Sequence, residues 1–242
     1  MKLKMIGTGA ICSKERSAST LIDDHILIDC GNGIVKTLLE QDVDIEKIDK
    51  LLITHLHGDH FLDTIFLIIQ RGFLNVKNSL IIYGPKGTIN AVRAIFKIAY
   101  NTSDFDKKLL KAKVSFCEYS DEDILKFKDN MCVKPIRVSH GRFELSYGFY
   151  IENKNTKVFF SGDSSYTDEI CKIVSSVNAA VLDTTFLEGN EKHMGVNDIE
   201  KISSICDTKI ILTHVGTMAR LYFNEHKSEK IILPNDGDII NI

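Results

Sequence analysis

The sequence predicts an α/β protein in which helices cover the faces of β-sheets. Short runs of apolar and β-branched residues recur along the chain between turn residues, and clear examples are Leu3–Ile6, Ser19–Ile22 and Tyr147–Glu152. Longer segments with helical spacing of apolar residues fall between such runs, among them Phe61–Leu74 and Val196–Ile205. Strands that alternate with helices bury their apolar faces when helices pack on the sheets.

No segment divides the chain into separate units. Its 242 residues include only three prolines, and no Pro-, Gly- or Ser-rich linker interrupts them. A chain of this length can bury one continuous core, although two unequal packed halves would fit equally well. We therefore expect a single domain over residues 1–242.

Two segments of the chain resemble each other. Lys50–His55 and Lys209–His214 are each a short apolar strand that delivers Thr-His at its end. The likeness suggests two related halves that face each other, although two buried strands can also be alike by coincidence.

Composition favours an ordinary soluble globular protein. Apolar residues make up 44% of the chain and charged residues 26%, a balance that disordered and fibrous proteins lack. The formal net charge is only −3, whereas a protein that coats nucleic acid would be strongly basic. Any contact with nucleic acid is therefore expected to be local and confined to a defined site.

Cysteine spacing and apolar segments bear on the location of the protein. The cysteines form no Cys-x-x-Cys pair and no regular spacing that would indicate a disulfide framework or a thiolate zinc site. The chain opens on a strand-like run without a signal region. The most apolar stretch, Phe61–Leu74, contains Asp63 and Arg71 and is well short of the ~20 residues of a membrane span. We expect a cytoplasmic protein that makes no membrane contact.

The strongest chemical signal is the segment Thr54–His60, which reads Thr-His-Leu-His-Gly-Asp-His. Three histidines and an aspartate follow a predicted strand, and a turn at Gly58 can direct them toward two metal centres. Buried imidazoles and carboxylates cost desolvation energy unless a partner compensates it. Metal ions provide such a partner, whereas a lone His-x-His would be weak evidence. The cluster therefore predicts a metal site.

This segment resembles the His-x-His-x-Asp-His signature of the metallo-β-lactamase superfamily. The histidine, aspartate and histidine that follow in that superfamily are similar to His140, Asp163 and His214, in the same order. The resemblance implies a four-layer αββα sandwich with the metal site at one edge. It also implies hydrolysis by water that two metal ions activate.

The resemblance further implies how the ligands are divided between two metal ions. One ion would be held by His55, His57 and His140, the other by Asp59, His60 and His214, and Asp163 would bridge them. Imidazole and carboxylate ligands suit zinc, with manganese and iron as alternatives. Position 57 is histidine rather than the glutamate typical of the diiron flavoproteins of this superfamily, which argues against a redox role.

Other motifs indicate which branch of the superfamily the chain resembles. Gly7–Gly9, Ser13–Arg16 and Asp29–Gly33 resemble the opening of ribonuclease Z, the tRNA 3′-end endonuclease, and of its phosphodiesterase relatives. Asp183–Phe186 followed by His193 is similar to a later motif of phosphodiesterases in this branch.

The resemblance also implies catalytic roles. His193 would donate a proton to the leaving oxygen, and Asp183 would orient its ring by a hydrogen bond. Asp59 would orient the attacking water and receive its proton. The alternative for His193 is an exposed loop histidine without a catalytic role.

Two departures from ribonuclease Z bear on the substrate. The segment between His140 and Asp163 is too short for the arm with which ribonuclease Z grips tRNA, and Val-Gly-Thr follows His214 where the endonucleases tend to have a nearby serine. The shorter phosphodiesterases, such as the cyclic phosphodiesterase of phosphonate breakdown, are the closer analogy. We therefore expect hydrolysis of a phosphodiester: a cyclic nucleotide, a small cyclic phosphate or an RNA-like substrate.

Rival functions remain open at this point. The same metal core serves acyl hydrolases of thioesters or lactones, although these do not need a pair such as Asp183 and His193. A non-catalytic metal-binding module is a further alternative. Arg16 and Arg220 are candidate phosphate contacts. The family resemblance and the apolar residues of Phe61–Leu74 suggest a homodimer.

Overall fold

Two mixed β-sheets form the centre of the protein. The computed structural model describes residues 1–101 and 104–242. In chain order the strands are β1 (Lys2–Gly7), β2 (Ser19–Ile22), β3 (Ile26–Ile28), β4 (Lys50–Leu52), β5 (Leu80–Pro85), β6 (Val114–Tyr119), β7 (Leu125–Lys126), β8 (Cys132–Arg137), β9 (Tyr147–Glu152), β10 (Lys157–Phe160), β11 (Ala179–Asp183), β12 (Lys209–Thr213), β13 (Ile231–Ile232) and β14 (Ile239–Asn241). The first sheet has the strand order β14-β1-β2-β3-β4-β5-β6, and the second has the order β13-β12-β11-β10-β9-β8-β7.

Helices cover the outer face of each sheet. In chain order they are α1 (Ile34–Glu40), α2 (Gly58–Phe61), α3 (Thr64–Leu74), α4 (Thr88–Tyr100), α5 (Phe105–Ala112), α6 (Asp168–Val174), α7 (Val196–Ile205) and α8 (Thr217–Glu225), with a 3-10 turn at Lys128–Asn130. Apolar residues of α1, α3, α4 and α5 pack on the first sheet, and those of α6, α7 and α8 pack on the second.

Three apolar layers hold these four layers of secondary structure together. Side chains alternate along each strand, so neighbouring residues enter different layers. In β4, Leu51 packs toward the helices while Leu52 packs between the two sheets. In β12, Ile211 packs between the sheets while Leu212 packs toward the helices of the second sheet. The predicted αββα sandwich is confirmed.

Both sheets have the same sequence of strand directions. From β14 to β3 the neighbouring strands are antiparallel, and from β3 to β6 they are parallel. From β7 to β10 the neighbours are antiparallel, and from β10 to β13 they are parallel. This duplication supports two related halves. The resemblance of Lys50–His55 to Lys209–His214 does not identify equivalent strands, however. Counted from the antiparallel end of each sheet, which is β14 in the first and β7 in the second, β4 is the fifth strand and β12 is the sixth.

Residues near the two ends of the sequence complete the first sheet together. Strand β14 pairs with β1 in antiparallel register, with Leu3 opposite Ile240. The backbone N–H and the hydroxyl of Thr8 both donate to Oδ1 of Asp236, at 2.9 and 2.8 Å.

The sequence predictions of helices need two corrections. Phe61–Leu74 is not one helix, because the helix is interrupted at Asp63, between α2 and α3. The Asp63 carboxylate accepts from the backbone N–H of Val35 at 3.0 Å, and its own N–H donates to the carbonyl oxygen of Cys30 at 3.0 Å. Helix α8 was not predicted.

Helix α3 leaves apolar side chains at the surface. Phe66, Phe73 and Leu74 are 46%, 79% and 53% exposed, which is the surface on which the expectation of a homodimer rests. The dimer and the single domain both stay predictions. Among the described residues, the helices are too short or too polar to cross a membrane.

Arg71 joins α3 to the surrounding loops from a fully buried position. Its guanidinium donates to the carbonyl oxygens of Ile45 and Ile48, each at 3.1 Å, and of Ala112 at 3.2 Å. It also donates to the carbonyl oxygen of Asn78. Such a buried fork satisfies several backbone acceptors that no other side chain type could reach together.

Replacing Arg71 with methionine should therefore destabilise the fold. Buried carbonyl oxygens would each lose a hydrogen-bond donor, so the free energy of unfolding in urea should fall by roughly 2–4 kcal/mol. Arg93→Met is the control, because Arg93 forms an exposed ion pair with Asp106 at 3.0 Å. That control should change the free energy of unfolding by less than about 0.5 kcal/mol. Equal losses in the two variants would contradict the role of the buried guanidinium.

Candidate active site

The predicted metal ligands lie together at one edge of the sandwich. The segment Thr54–His60 follows β4 in the first sheet. His140 follows β8, Asp163 follows β10 and His214 follows β12, all in the second sheet. Strand ends of both sheets therefore contribute side chains to one site.

The side chains form two clusters around Asp163. We call His55, His57 and His140 the first cluster, and Asp59, His60 and His214 the second cluster. Ligand atoms of the first cluster and Asp163 lie within 4.8 Å of one another, and so do those of the second cluster. All seven predicted ligands are thus brought together in the predicted grouping, while their binding of metal stays a prediction.

Asp163 is close to both clusters. Its Oδ1 lies 3.2 Å from Nε2 of His60, and its Oδ2 lies 3.4 Å from Nε2 of His214 and 3.8 Å from Nε2 of His55. Within the second cluster, Nε2 of His214 lies 3.3 Å from Oδ2 of Asp59. A single carboxylate can therefore reach a ligand position in either cluster.

A glycine allows the loop after β3 to approach this site. A Cβ atom at Gly31 would lie 1.6 Å from the carbonyl oxygen of Asp59, so a side chain at this position would displace the backbone. In the same contact the N–H of Cys30 donates to the carbonyl oxygen of His60 at 2.7 Å. This close approach explains part of the Asp29–Gly33 motif.

The donor atoms fit a divalent metal. Nε2 of His55, Nε2 of His60 and Oδ1 of Asp163 are buried and have no hydrogen-bond partner among the described residues. Buried polar atoms without partners are costly, and here they point toward one another. Imidazole nitrogens and carboxylate oxygens are the donors that zinc, manganese and iron accept.

Charge is distributed unevenly over the donors. Burial lowers the pKa of His55, His57 and His140, so these rings are neutral, which is the form that binds a metal ion. Burial also opposes a charged ring at His60, but the carboxylates of Asp163 and Asp29 together outweigh it and raise the pKa of His60 well above its ordinary value. Metal binding at His60 must therefore displace a proton.

Residues that sequence reasoning missed hold several of these rings in place. Nδ1 of His60 lies 2.8 Å from Oδ2 of Asp29, and Nδ1 of His140 lies 2.8 Å from the carbonyl oxygen of Lys192. The hydroxyls of Thr54 and Thr185 also contact histidines of the clusters. Asp29 belongs to a motif that the sequence displays, but nothing in its spacing connects it to His60.

The predicted pair of Asp183 and His193 lies beside the clusters. Nδ1 of His193 is 2.8 Å from Oδ2 of the fully buried Asp183. The His193 ring stacks parallel to that of His214, with 5.2 Å between centroids, and its centroid is 4.8 Å from that of His140. His193 is therefore not an isolated loop histidine, and its role as an acid stays a prediction.

The two arginines proposed as phosphate contacts are engaged elsewhere. Arg220 forms an ion pair with Glu15 at 3.2 Å and donates to Oγ1 of Thr8 at 2.8 Å. Arg16 lies 3.4 Å from Glu40. These contacts involve the Gly7–Ser17 segment rather than the clusters.

A cleft of about 630 Å³ opens beside the second cluster. Its walls come from residues 10–13, 185–188 and 216–218, together with Asn190, His193 and His214. Ile11, Phe186 and Met218 present apolar surface there, at 67%, 43% and 58% exposure. No lysine or arginine occurs among the described residues that line it.

An αββα sandwich with clustered histidines and aspartates at one edge is the arrangement of metal-dependent hydrolases with the metallo-β-lactamase fold. The chain is a hydrolase of that class. A family model described as Anti-Pycsar protein Apyc1 matches residues 1–234. The chain belongs to this family, within the ribonuclease Z-like branch of the metallo-β-lactamase superfamily, and the predicted superfamily is confirmed.

Individual relatives agree with this placement. Ribonuclease Z of Saccharolobus solfataricus is 24% identical over 301 aligned positions, which cover 100% of this chain and 99% of the relative. The alignment is longer than this chain, so the relative carries segments that the chain lacks. Among solved structures, human tRNase Z, short form, has a TM-score of 0.75 at 21% identity, covering 100% of this chain and 99% of its own. A diphosphatase from the PhnP family has a TM-score of 0.79 at 18% identity, covering 100% and 97%.

Changing Asp163 to asparagine should weaken metal binding in both clusters. A neutral amide would replace a carboxylate that reaches either one, so zinc affinity should fall by more than the roughly 10–100-fold that loss of an outer partner costs. Competition with a chromogenic chelator measures the affinity. A chelator should also lower the melting temperature of the unaltered protein, and added zinc should restore it.

Asp207→Asn is the matched control for this change. Asp207 is an exposed carboxylate paired with Lys230 at 2.7 Å, and it belongs to neither cluster. Its substitution should leave zinc affinity unchanged. Unaltered zinc binding by the Asp163→Asn variant would show that this carboxylate is not a ligand.

Proposed function

We propose that the chain is a phosphodiesterase that uses two divalent metal ions to hydrolyse a small phosphodiester such as a cyclic nucleotide or cyclic phosphate. Zinc is the first candidate for these ions. The observation that carries the proposal is the hydrogen bond between His193 and the buried Asp183, beside both clusters. A thioesterase has less need of such a pair, because expulsion of a thiolate requires less assistance than expulsion of an alkoxide. The ribonuclease Z activity named for relatives supports phosphodiester chemistry.

The seven ligand candidates fit two ions. The first cluster would hold one ion, the second cluster the other, and Asp163 would contact both. When bound, two such ions lower the pKa of water and stabilise negative charge on the phosphate. Asp59 would orient the attacking water and accept its proton.

His193 would supply the proton that the leaving oxygen needs. Its Nδ1–H donates to Asp183, which leaves Nε2 as the free end of the ring. His193 also lines the cleft, so a leaving group seated there would meet it. Asp183 holds the ring in the orientation that this transfer requires.

The cleft supports a small substrate rather than a polynucleotide. Proteins that bind RNA or single-stranded DNA neutralise successive phosphates with lysine and arginine, and the described lining of this cleft offers neither. Its exposed apolar side chains suit an uncharged organic group instead. A substrate with one phosphodiester and one such group fits both features.

Substitution of His193 by alanine should produce a loss that depends on the leaving group. Hydrolysis of a cyclic nucleotide expels an alkoxide, so kcat should fall by about 10²–10⁴-fold without the acid. Hydrolysis of bis(p-nitrophenyl) phosphate expels a stable phenolate, so the loss should be much smaller. Steady-state assays with both substrates measure the difference.

His226→Ala serves as the control for this experiment, because His226 is exposed and stacks only on Tyr222 among the described aromatic rings. It should leave both activities unchanged. Equal losses on the two substrates in the His193→Ala variant would exclude a proton donor. Turnover of a thioester or lactone, with no activity on any phosphodiester, would establish the acyl-hydrolase alternative.

An RNA oligonucleotide should compete poorly for the site. Because no lysine or arginine is found among the described residues that line the cleft, an unstructured RNA of about ten nucleotides should not raise the apparent KM for a cyclic nucleotide at physiological salt. If RNA inhibited competitively, with an inhibition constant below the KM of the small substrate, the RNA-like substrate would be favoured instead.

A further inference from the structure

Each of two threonines lies between a buried aspartate and a histidine of the clusters. An imidazole that binds a metal through Nε2 must carry its proton on Nδ1, so the group that meets Nδ1 decides the tautomer. We propose that Thr54 and Thr185 are positioning residues that set this tautomer, one for each metal ion. The inference rests on the proposed function in requiring two metal sites.

Thr54 connects Asp29 to His55 in the first cluster. Its hydroxyl lies 2.8 Å from Oδ2 of Asp29 and 3.0 Å from Nδ1 of His55. The other carboxylate oxygen, Oδ1, accepts from the backbone N–H of Thr54 at 2.7 Å. All three side chains are buried.

The count of protons fixes the direction of these hydrogen bonds. A hydroxyl has one proton, and an ionised carboxylate only accepts, so the Thr54 hydroxyl donates to Asp29. Its lone pair must then accept from Nδ1–H of His55. Nε2 of His55 is left without a proton, and this is one of the buried atoms that lack a partner among the described residues.

Thr185 connects Asp183 to His214 in the same way. Its hydroxyl lies 2.7 Å from Oδ1 of Asp183 and 2.8 Å from Nδ1 of His214. A longer contact of 3.1 Å to the carbonyl oxygen of His214 competes for the same proton, but a carboxylate is the stronger acceptor. Nε2 of His214, which lies 3.3 Å from Asp59 and 3.4 Å from Asp163, is then the nitrogen that a metal ion in the second cluster would meet.

The two aspartates each serve a second histidine directly. Asp29 accepts from His60, and Asp183 accepts from His193, both at 2.8 Å. Asp183 thus orients the proposed proton donor and, through Thr185, a ligand of the second metal. Loss of the Thr185 hydroxyl should disturb both the proposed proton donor and metal binding, whereas loss of the Thr54 hydroxyl should disturb metal binding alone.

Valine variants of the two threonines test the inference. Valine keeps the shape of threonine but has no hydroxyl, and serine keeps the hydroxyl. Thr184→Val is the control, because Thr184 is also buried and its hydroxyl lies 3.1 Å from the carbonyl oxygen of Leu182. Zinc stoichiometry and stepwise affinity would be measured by chelator competition, and cobalt absorption spectra would report which cluster has lost its ion.

We expect Thr54→Val and Thr185→Val each to lower the affinity for one of the two zinc ions by about 10–100-fold. The affected ion should lie in a different cluster in each variant. Thr54→Ser and Thr185→Ser should restore the affinity to within a few-fold, and Thr184→Val should match the unaltered protein. Melting of the metal-free proteins checks that each variant folds. Should a valine variant not fold, an alanine variant removes the same hydroxyl.

The outcomes separate this inference from the proposed function. Two zinc ions in the unaltered protein, with the valine variants equal to Thr184→Val, would overturn the role of the threonines and leave the phosphodiesterase proposal intact. Failure of serine to rescue would overturn it as well. Fewer than two ions in the unaltered, fully loaded protein would overturn both proposals together.

Discussion

The site depends on a buried carboxylate that lies where the two sheets meet. Asp163 follows β10 of the second sheet, while the rings that face it come from both sheets, His60 after β4 and His214 after β12. Burial opposes ionisation of Asp163, but His214 and His60 outweigh it and hold the pKa of Asp163 well below its ordinary value. Because the apolar layer between the sheets sets their separation, it also sets the distance between this anion and the donors that follow β4 in the first sheet.

How much of the site could be predicted depends on where its residues lie in the chain. Thr54–His60 carries four donors in one segment, so their spacing is visible in the sequence. His140, Asp163 and His214 follow other strands, and only the order of motifs in a resembling family indicated them. Asp29 could not be predicted as a partner of His60, because a hydrogen bond between the ends of different strands leaves no spacing pattern.

Some elements of the fold could also be predicted from the sequence, while others could not. Strands with apolar alternation were predicted near their observed bounds, but β7, β13 and β14 were not; these are edge strands of two or three residues. The break at Asp63 depends on a distant backbone N–H, that of Val35, which the helical pattern does not reveal. The likeness of Lys50–His55 to Lys209–His214 pointed to a real duplication but paired strands in different positions, since buried parallel strands share apolar composition wherever they lie.

The pairing of β14 with β1 has a consequence for biosynthesis. The ribosome releases β1 long before it makes residues 236–241, so the nascent chain exposes the backbone N–H and C=O groups along one side of β1. An uncovered strand of this kind readily recruits a strand from another molecule. Translation that stalls before Asp236 would therefore leave polypeptides that are inclined to associate with one another instead of closing their own sheet.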